Sequence, residues 1–191
     1  MHLWSGLYSY LQMSSSTPDP LLVQLGSHRW LVPLLADLAA HRGARFVELA
    51  HRLGLARDSL TRTLDAAATL GWVQRNPGHG HPLRPEYILT EAGAAAAARA
   101  ATIAEAQSAI GLPPGAATRW GLPIVAGIGA GHHRFNALSR LLAPATPRAL
   151  SQGLSALGTH GLVRREVLDM RPPASRYDLT RRGRVLAEAC L

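Results

Sequence analysis

The sequence predicts a mainly α fold with two small β-hairpins: an α+β chain in which one small domain occurs twice and an Ala-rich helix joins the copies. Three observations carry that prediction. Residues recur at an offset of 90. Within a copy, Leu residues at helical spacing give way to a short strand pair around a Pro-rich tip. Between the copies, residues 94–109 are nearly all Ala, broken by polar residues such as Arg99, Glu105 and Gln107.

The leader comes first. Residues 1–13 are apolar but lack a positive n-region and a small-residue cleavage site, so no signal peptide is expected. Met13 is a candidate start, a point that the mass of the native protein decides. The run from Ser14 to Pro20 is Ser- and Pro-rich and is expected to be partly disordered, within a leader spanning 1–26.

The repeat defines the rest. Arg29 and Trp30 recur as Arg119 and Trp120, and Arg45-Phe46 recurs as Arg134-Phe135, one residue out of register. From 56 to 93 there are twelve identities in thirty-eight positions, among them Leu60/Leu150, Leu64/Leu154, Gly71/Gly161, Tyr87/Tyr177, Thr90/Thr180 and Gly93/Gly183. Chance gives about two to four at ordinary residue frequencies. Copy one is expected over 27–93, an Ala-rich linker helix with a Gly/Pro loop over 94–117, and copy two over 118–191. The Ala-rich stretch has two readings: a spacer, or a packing helix whose Ala, Ile103 and Ile110 face touches a partner copy.

Copy two is the clearer. A short apolar helix runs from Trp120 to Ala130, with Pro123 in its first turn. Phe135, Leu138, Leu141 and Leu142 form one face of a second helix, which Ala143-Pro144-Ala145 ends. Thr146 caps a third helix with Pro147 at its first position and Leu150, Leu154 and Leu157 as its apolar stripe. Gly161 ends it. Val163–Leu168 and Ser175–Leu179 read as strands around a tip at Arg171-Pro172-Pro173, and Thr180 caps a last helix over Arg184–Ala189.

Helix, helix, tight turn, helix, hairpin is the order of a winged helix-turn-helix. The stretches RF(x)2L(x)2LL, TPRALSQGLSALGTHGLVRREV and PP(x)3RYDLT(x)2G in copy two resemble the HxlR-type family of bacterial transcriptional regulators. Copy one resembles it through RFVEL, SLTRTL, LGWVQR and PEYILTEAG. The resemblance implies winged-helix domains and sequence-specific binding of double-stranded DNA, usually as a homodimer. It covers about three quarters of the chain. Family members that sense oxidants use a cysteine near the domain start. Here Cys190 is the penultimate residue and the only cysteine, so thiol sensing and an internal disulfide are not expected. The second departure is the duplication, which lets one chain supply both halves of a dimer. A monomeric pseudo-dimer and a homodimer both remain open.

Charge agrees with an anionic partner. All twenty basic residues are Arg, against twelve acids, for a net charge of +8. An Arg-only, Ala-rich composition is that of a GC-rich bacterial coding sequence. Copy two from 119 onward holds eleven Arg and four acids; copy one over 27–93 holds eight Arg and six acids. Copy two is therefore expected to supply most of the salt-dependent affinity.

The second helix of a helix-turn-helix enters the major groove. With the Leu stripe inward, Arg148, Ser151, Gln152 and Ser155 face outward in copy two, and Arg57, Thr61, Arg62, Asp58 and Asp65 in copy one. Arg suits guanine, Gln suits adenine, and Ser suits phosphate or water-mediated contact. Asp58 is placed to cap the helix. On the second wing Arg164, Arg165, Arg171 and Arg176 are expected to contact phosphate or the minor groove.

Other chemistries find no support. His79, His81, His132 and His133 have no cysteine pair or acidic sequence neighbour to complete a metal site, so no cofactor is expected. Gly127–Gly131 is Gly-rich, but the chain has no Lys to complete a phosphate loop, and no GxSxG elbow occurs. The expectation is a cytoplasmic, non-enzymatic regulator, repressing by promoter occupancy, with no membrane segment. Two rivals stand beside it. One is a tandem winged-helix protein–protein adaptor. The other is a regulator responding to a small-molecule effector in an aromatic pocket between the copies, with Trp30 and Trp120 as lining; core anchoring is the simpler account of that Trp pair.

Overall fold

The computed structural model describes residues 19–78, 84–117, 119–169 and 174–191. Arg171 and the rest of the second wing tip, His79 and His81, and residues 1–18 of the leader, Met13 among them, lie outside the described residues, while the end of the leader, expected to be partly disordered, forms a helix.

Helix α1, Pro20–Leu25, opens with Pro at its first position and the Asp19 carboxylate accepting from the Leu21 amide at 2.9 Å. Copy one follows: α2 (Leu31–His41), α3 (Phe46–Leu53), α4 (Arg57–Thr69), β1 (Val73–Arg75), β2 (Tyr87–Leu89) and α5 (Glu91–Ala109). Copy two repeats the order with α6 (Gly121–Gly129), α7 (Phe135–Leu141), α8 (Pro147–Thr159), β3 (Val163–Leu168), β4 (Ala174–Leu179) and α9 (Arg181–Cys190). Each hairpin is antiparallel, pairing Val73 with Leu89 and Val163 with Leu179. The last helix spans Arg181–Cys190, capped by Thr180 and opened by Arg181 and Arg182.

Several repeated residues have a shared structural task. Gly71 and Gly161 adopt φ of 71° and 67° just after the third helix of each copy, a region that strains other residues. Thr90 and Thr180 accept the Gly93 and Gly183 amides at 2.9 and 3.1 Å and donate to the Gly71 and Gly161 carbonyls at 2.6 and 2.7 Å. One hydroxyl thus caps a helix and ties it to the preceding turn. A Cβ at Gly93 or Gly183 would collide with the carbonyl of Trp72 or Leu162. These glycines are where the last helix of a copy crosses the start of its wing.

The Ala-rich stretch is a packing helix. It begins at Glu91, three residues before the Ala run, and stands where α9 stands in copy two. Ala96, Ala97, Ala100, Ile103 and Gln107 are buried, and α5 packs against both α2 of its own copy and α9 of the other. Small side chains let the backbones approach closely, so the helix can contact two neighbours along its length.

Equivalent elements meet across the copies. The two last helices, α5 and α9, touch each other. Helix α1, ahead of copy one, packs on α6, the first helix of copy two, and Gly26 sits against the Arg119 backbone. Reciprocally, residues 111–114, ahead of copy two, share a cavity with Pro33 of α2, and Gly115 sits against Arg29. Patch i meeting patch j, and j meeting i, is the signature of a two-fold relation.

Candidate nucleic-acid interface

Two helices carry the candidate site, and burial along them matches position by position from 56–70 to 146–160. In α8, Leu150, Gly153, Leu154 and Leu157 are buried, while Arg148, Ser151, Gln152 and Ser155 are exposed. The i, i+4, i+7 Leu spacing fixes that orientation. Thr146 caps the helix by accepting from the Ala149 amide at 3.2 Å. In α4, Leu60, Thr63, Leu64 and Ala67 are buried, and Arg57, Asp58, Thr61, Arg62 and Asp65 are exposed.

Asp58 does not cap α4. Ala56 is the N-cap residue, and Asp58 is the second residue of the helix, within its first turn, where its charge meets the positive end of the helix dipole without a capping bond. The Arg57 guanidinium lies over the Phe46 ring, 5.6 Å from its centroid. Together with Thr61, Asp65, Arg75 and Tyr87 these residues line a groove of about 700 Å³ between α3, α4 and the first wing. Arg75 is held there by the Glu86 carboxylate at 3.4 Å and the Tyr87 hydroxyl at 3.3 Å.

The second wing splits the expected arginines. Successive strand residues point to opposite faces. Arg165, the repeat partner of Arg75, lies on one face, and its Nε donates to Ser175 Oγ at 3.0 Å. Arg164 and Arg176 lie on the other. They line a separate groove of about 820 Å³ formed with Ile128 and Gly129 of α6 and Arg184, Ala187 and Glu188 of α9. The wing therefore brings Arg165 to the face equivalent to the α4 groove, and turns Arg164 and Arg176 toward the groove against α6 and α9.

That second groove contains a network invisible in sequence order. Arg176 Nε donates to both Asp178 oxygens at 2.9 and 3.1 Å, and His133 Nδ1 lies 3.1 Å from Asp178. The hydrogen bond from Arg176 holds the Asp178 carboxyl below its ordinary range. His133 thus gains the acidic neighbour that its sequence surroundings lack, supplied by β4. Strand alternation is the signal that would have separated Arg164 from Arg165. No such signal announces His133.

Trp120 is buried and Trp30 half-buried, each under the guanidinium of the preceding Arg at 5.7 and 5.2 Å. Neither lines the two grooves above. Among the described residues no group of three or more His, Cys, Asp or Glu side chains is placed to hold a metal ion. No helix among them is long and apolar enough to cross a membrane.

Comparison with known proteins agrees with this architecture. The chain is 34% identical over 71 residues to the uncharacterized HTH-type transcriptional regulator YtfH of Escherichia coli (strain K12), an alignment covering 37% of this chain and 56% of that protein. The YtfH protein of Shigella flexneri matches to the same extent. The chain thus spans about half the length of the curated relatives it matches. No solved structure matches. The sequence pattern described as HxlR-like helix-turn-helix matches twice, over residues 25–109 and 116–191, so the chain belongs to the HxlR-like helix-turn-helix family and carries its domain in tandem.

Proposed function

We propose that the protein is a transcriptional regulator that binds duplex DNA through both winged helix-turn-helix domains, one chain supplying the two halves of a dimer. The observation that carries the reading is the exposed face of α8. It presents Arg148, Ser151, Gln152 and Ser155 and no large apolar side chain. That set hydrogen-bonds to base edges and phosphates and is a poor surface for an apolar protein partner. Family membership and the name of its relatives point the same way. The reciprocal packing of α1 on α6 and of 111–115 beside α2 supports the pseudo-dimer.

The role places the protein with the chromosome, in a bacterial cytoplasm. Promoter occupancy makes repression the expected sign. Footprinting on genomic fragments across a salt series tests the reading. Protection of two adjacent half-sites by one chain is expected, with affinity falling steeply as salt rises. The absence of any sequence preference at every salt concentration would overturn it in favour of an adaptor.

A further inference from the structure

The two candidate reading helices share a frame and differ in what they display. Their buried stripes keep Leu60 and Leu64 as Leu150 and Leu154. Their exposed faces keep nothing from Arg57 to Ala68: Pro147 replaces Arg57, Arg148 replaces Asp58, Ser151 replaces Thr61, Gln152 replaces Arg62 and Ser155 replaces Asp65. A homodimer presents one face twice and therefore reads a palindrome. This chain has the two-fold packing of a dimer without two like faces.

We infer that the chain reads an asymmetric operator, two dissimilar half-sites in fixed order, with a G·C half under α4 and a half that includes an A·T pair under α8. The inference rests on the DNA-binding reading above. The chemistry of each face assigns the halves. Helix α4 offers Arg57 and Arg62, which fit guanine O6 and N7, and Asp58 and Asp65, which accept from the cytosine amino group. A carboxylate there repels phosphate and finds a donor only on cytosine or adenine, so α4 is selective and contributes little non-specific affinity. Helix α8 has no carboxylate. It offers Arg148 for guanine, Gln152 for the adenine N6 and N7 pair, and two hydroxyls that accept any base. The protein consequently has one orientation on its site, with copy one always on the same side.

Selection of binding sites from a random duplex pool with the intact chain tests this. The winning site, half A followed by inverted half B, is then compared with two symmetrised sites built from A alone and from B alone. The expected consensus is not palindromic, one chain occupies it, and each symmetrised site binds weaker by about tenfold or more, as mismatched half-sites do. A variant carrying Asp58→Arg, Thr61→Ser, Arg62→Gln and Asp65→Ser gives α4 most of the face of α8. It should move the preference to the symmetrised B site, with its melting temperature as the check on folding. A palindromic consensus, a consensus with one specified half, or equal affinity for all three sites overturns the inference and leaves the regulator standing. Absence of any preference overturns both.

Discussion

The Arg182 guanidinium donates to the Ile110 carbonyl through Nη2 at 2.7 Å and Nε at 3.1 Å, and to the His160 carbonyl through Nη1 at 3.0 Å. It thereby joins the C-terminal ends of α5 and α8, one from each copy. Both carbonyls lie at the negative pole of a helix dipole, so a cation there is favourable. Copy one has Ala92 at the equivalent position, so the clamp is not duplicated. Arg182→Ala should lower stability by about 1–2 kcal/mol. Urea unfolding followed by circular dichroism measures it. An unchanged midpoint would show the clamp to be idle.

The split of the wing gives a test on DNA. Arg148→Ala should cost about 1–3 kcal/mol at the specific site and relax its preference there. Arg165→Ala should weaken specific and non-specific binding alike and flatten the salt slope by about 1. Arg164→Ala and Arg176→Ala, on the opposite face of the hairpin, should change affinity by less than about 0.5 kcal/mol. Fluorescence anisotropy with all four variants reads this. A loss at Arg164 equal to that at Arg165 would mean that the wing lies on DNA differently.

Helix crossing predicts opposite outcomes for two Gly→Ala changes. At Gly183 the new methyl meets the Leu162 carbonyl, so Gly183→Ala should destabilise by about 1–3 kcal/mol or more. Gly158 lies inside α8, and a Cβ there would be 3.8 Å from the Val163 carbonyl, an ordinary contact. Gly158→Ala should stabilise by about 0.5–1 kcal/mol through helix propensity. Thermal melts of the two proteins should move in opposite directions.

Asp178 gives the pH dependence. The Arg176 hydrogen bond lowers its folded-state pKa below the ordinary 3.8 of the unfolded chain. The contribution is therefore complete above the unfolded value and is lost as pH falls through the folded one. The Asp178–Arg176 pair should persist through neutral and mildly acid solution and be lost only below the usual carboxylate range. A carbon NMR titration of the Asp178 carboxyl locates the midpoint, and a value at or above 3.8 would contradict the network.

Cys190 is 2% exposed, and burial pushes its thiol up to about 12. Little thiolate exists at neutral pH, so the group is a poor nucleophile. Native protein should react with a chromogenic disulfide reagent only at the rate of unfolding, and DNA binding should survive mild peroxide. Rapid labelling without denaturant would restore a redox role.

Much of the fold was legible in the sequence because the signals were local. Leu150, Leu154 and Leu157 at helical spacing set the face of α8, and Thr146-Pro147 set its start. The recurrence of Gly71, Thr90 and Gly93 marked positions where the backbone allows few substitutes. The Ala-rich helix was ambiguous because an Ala face serves a spacer and a close-packed helix equally well, and only the neighbours α2 and α9 decide. The partners of Arg182 and His133 lie 72 and 45 residues away, beyond any local pattern. The first wing has strands of three residues where the second has six, a difference no local pattern announces.

The contact between α5 and α9 joins two stretches of the same chain. An ordinary two-subunit regulator dissociates on dilution, so its occupancy of a promoter depends on the square of its concentration at low copy number. A covalent tether holds the second half at an effective concentration of the order of millimolar. For the pseudo-dimer proposed above, occupancy is expected to rise in simple proportion to the number of molecules, so that a handful of chains per cell would act and promoter output would follow protein level without a threshold.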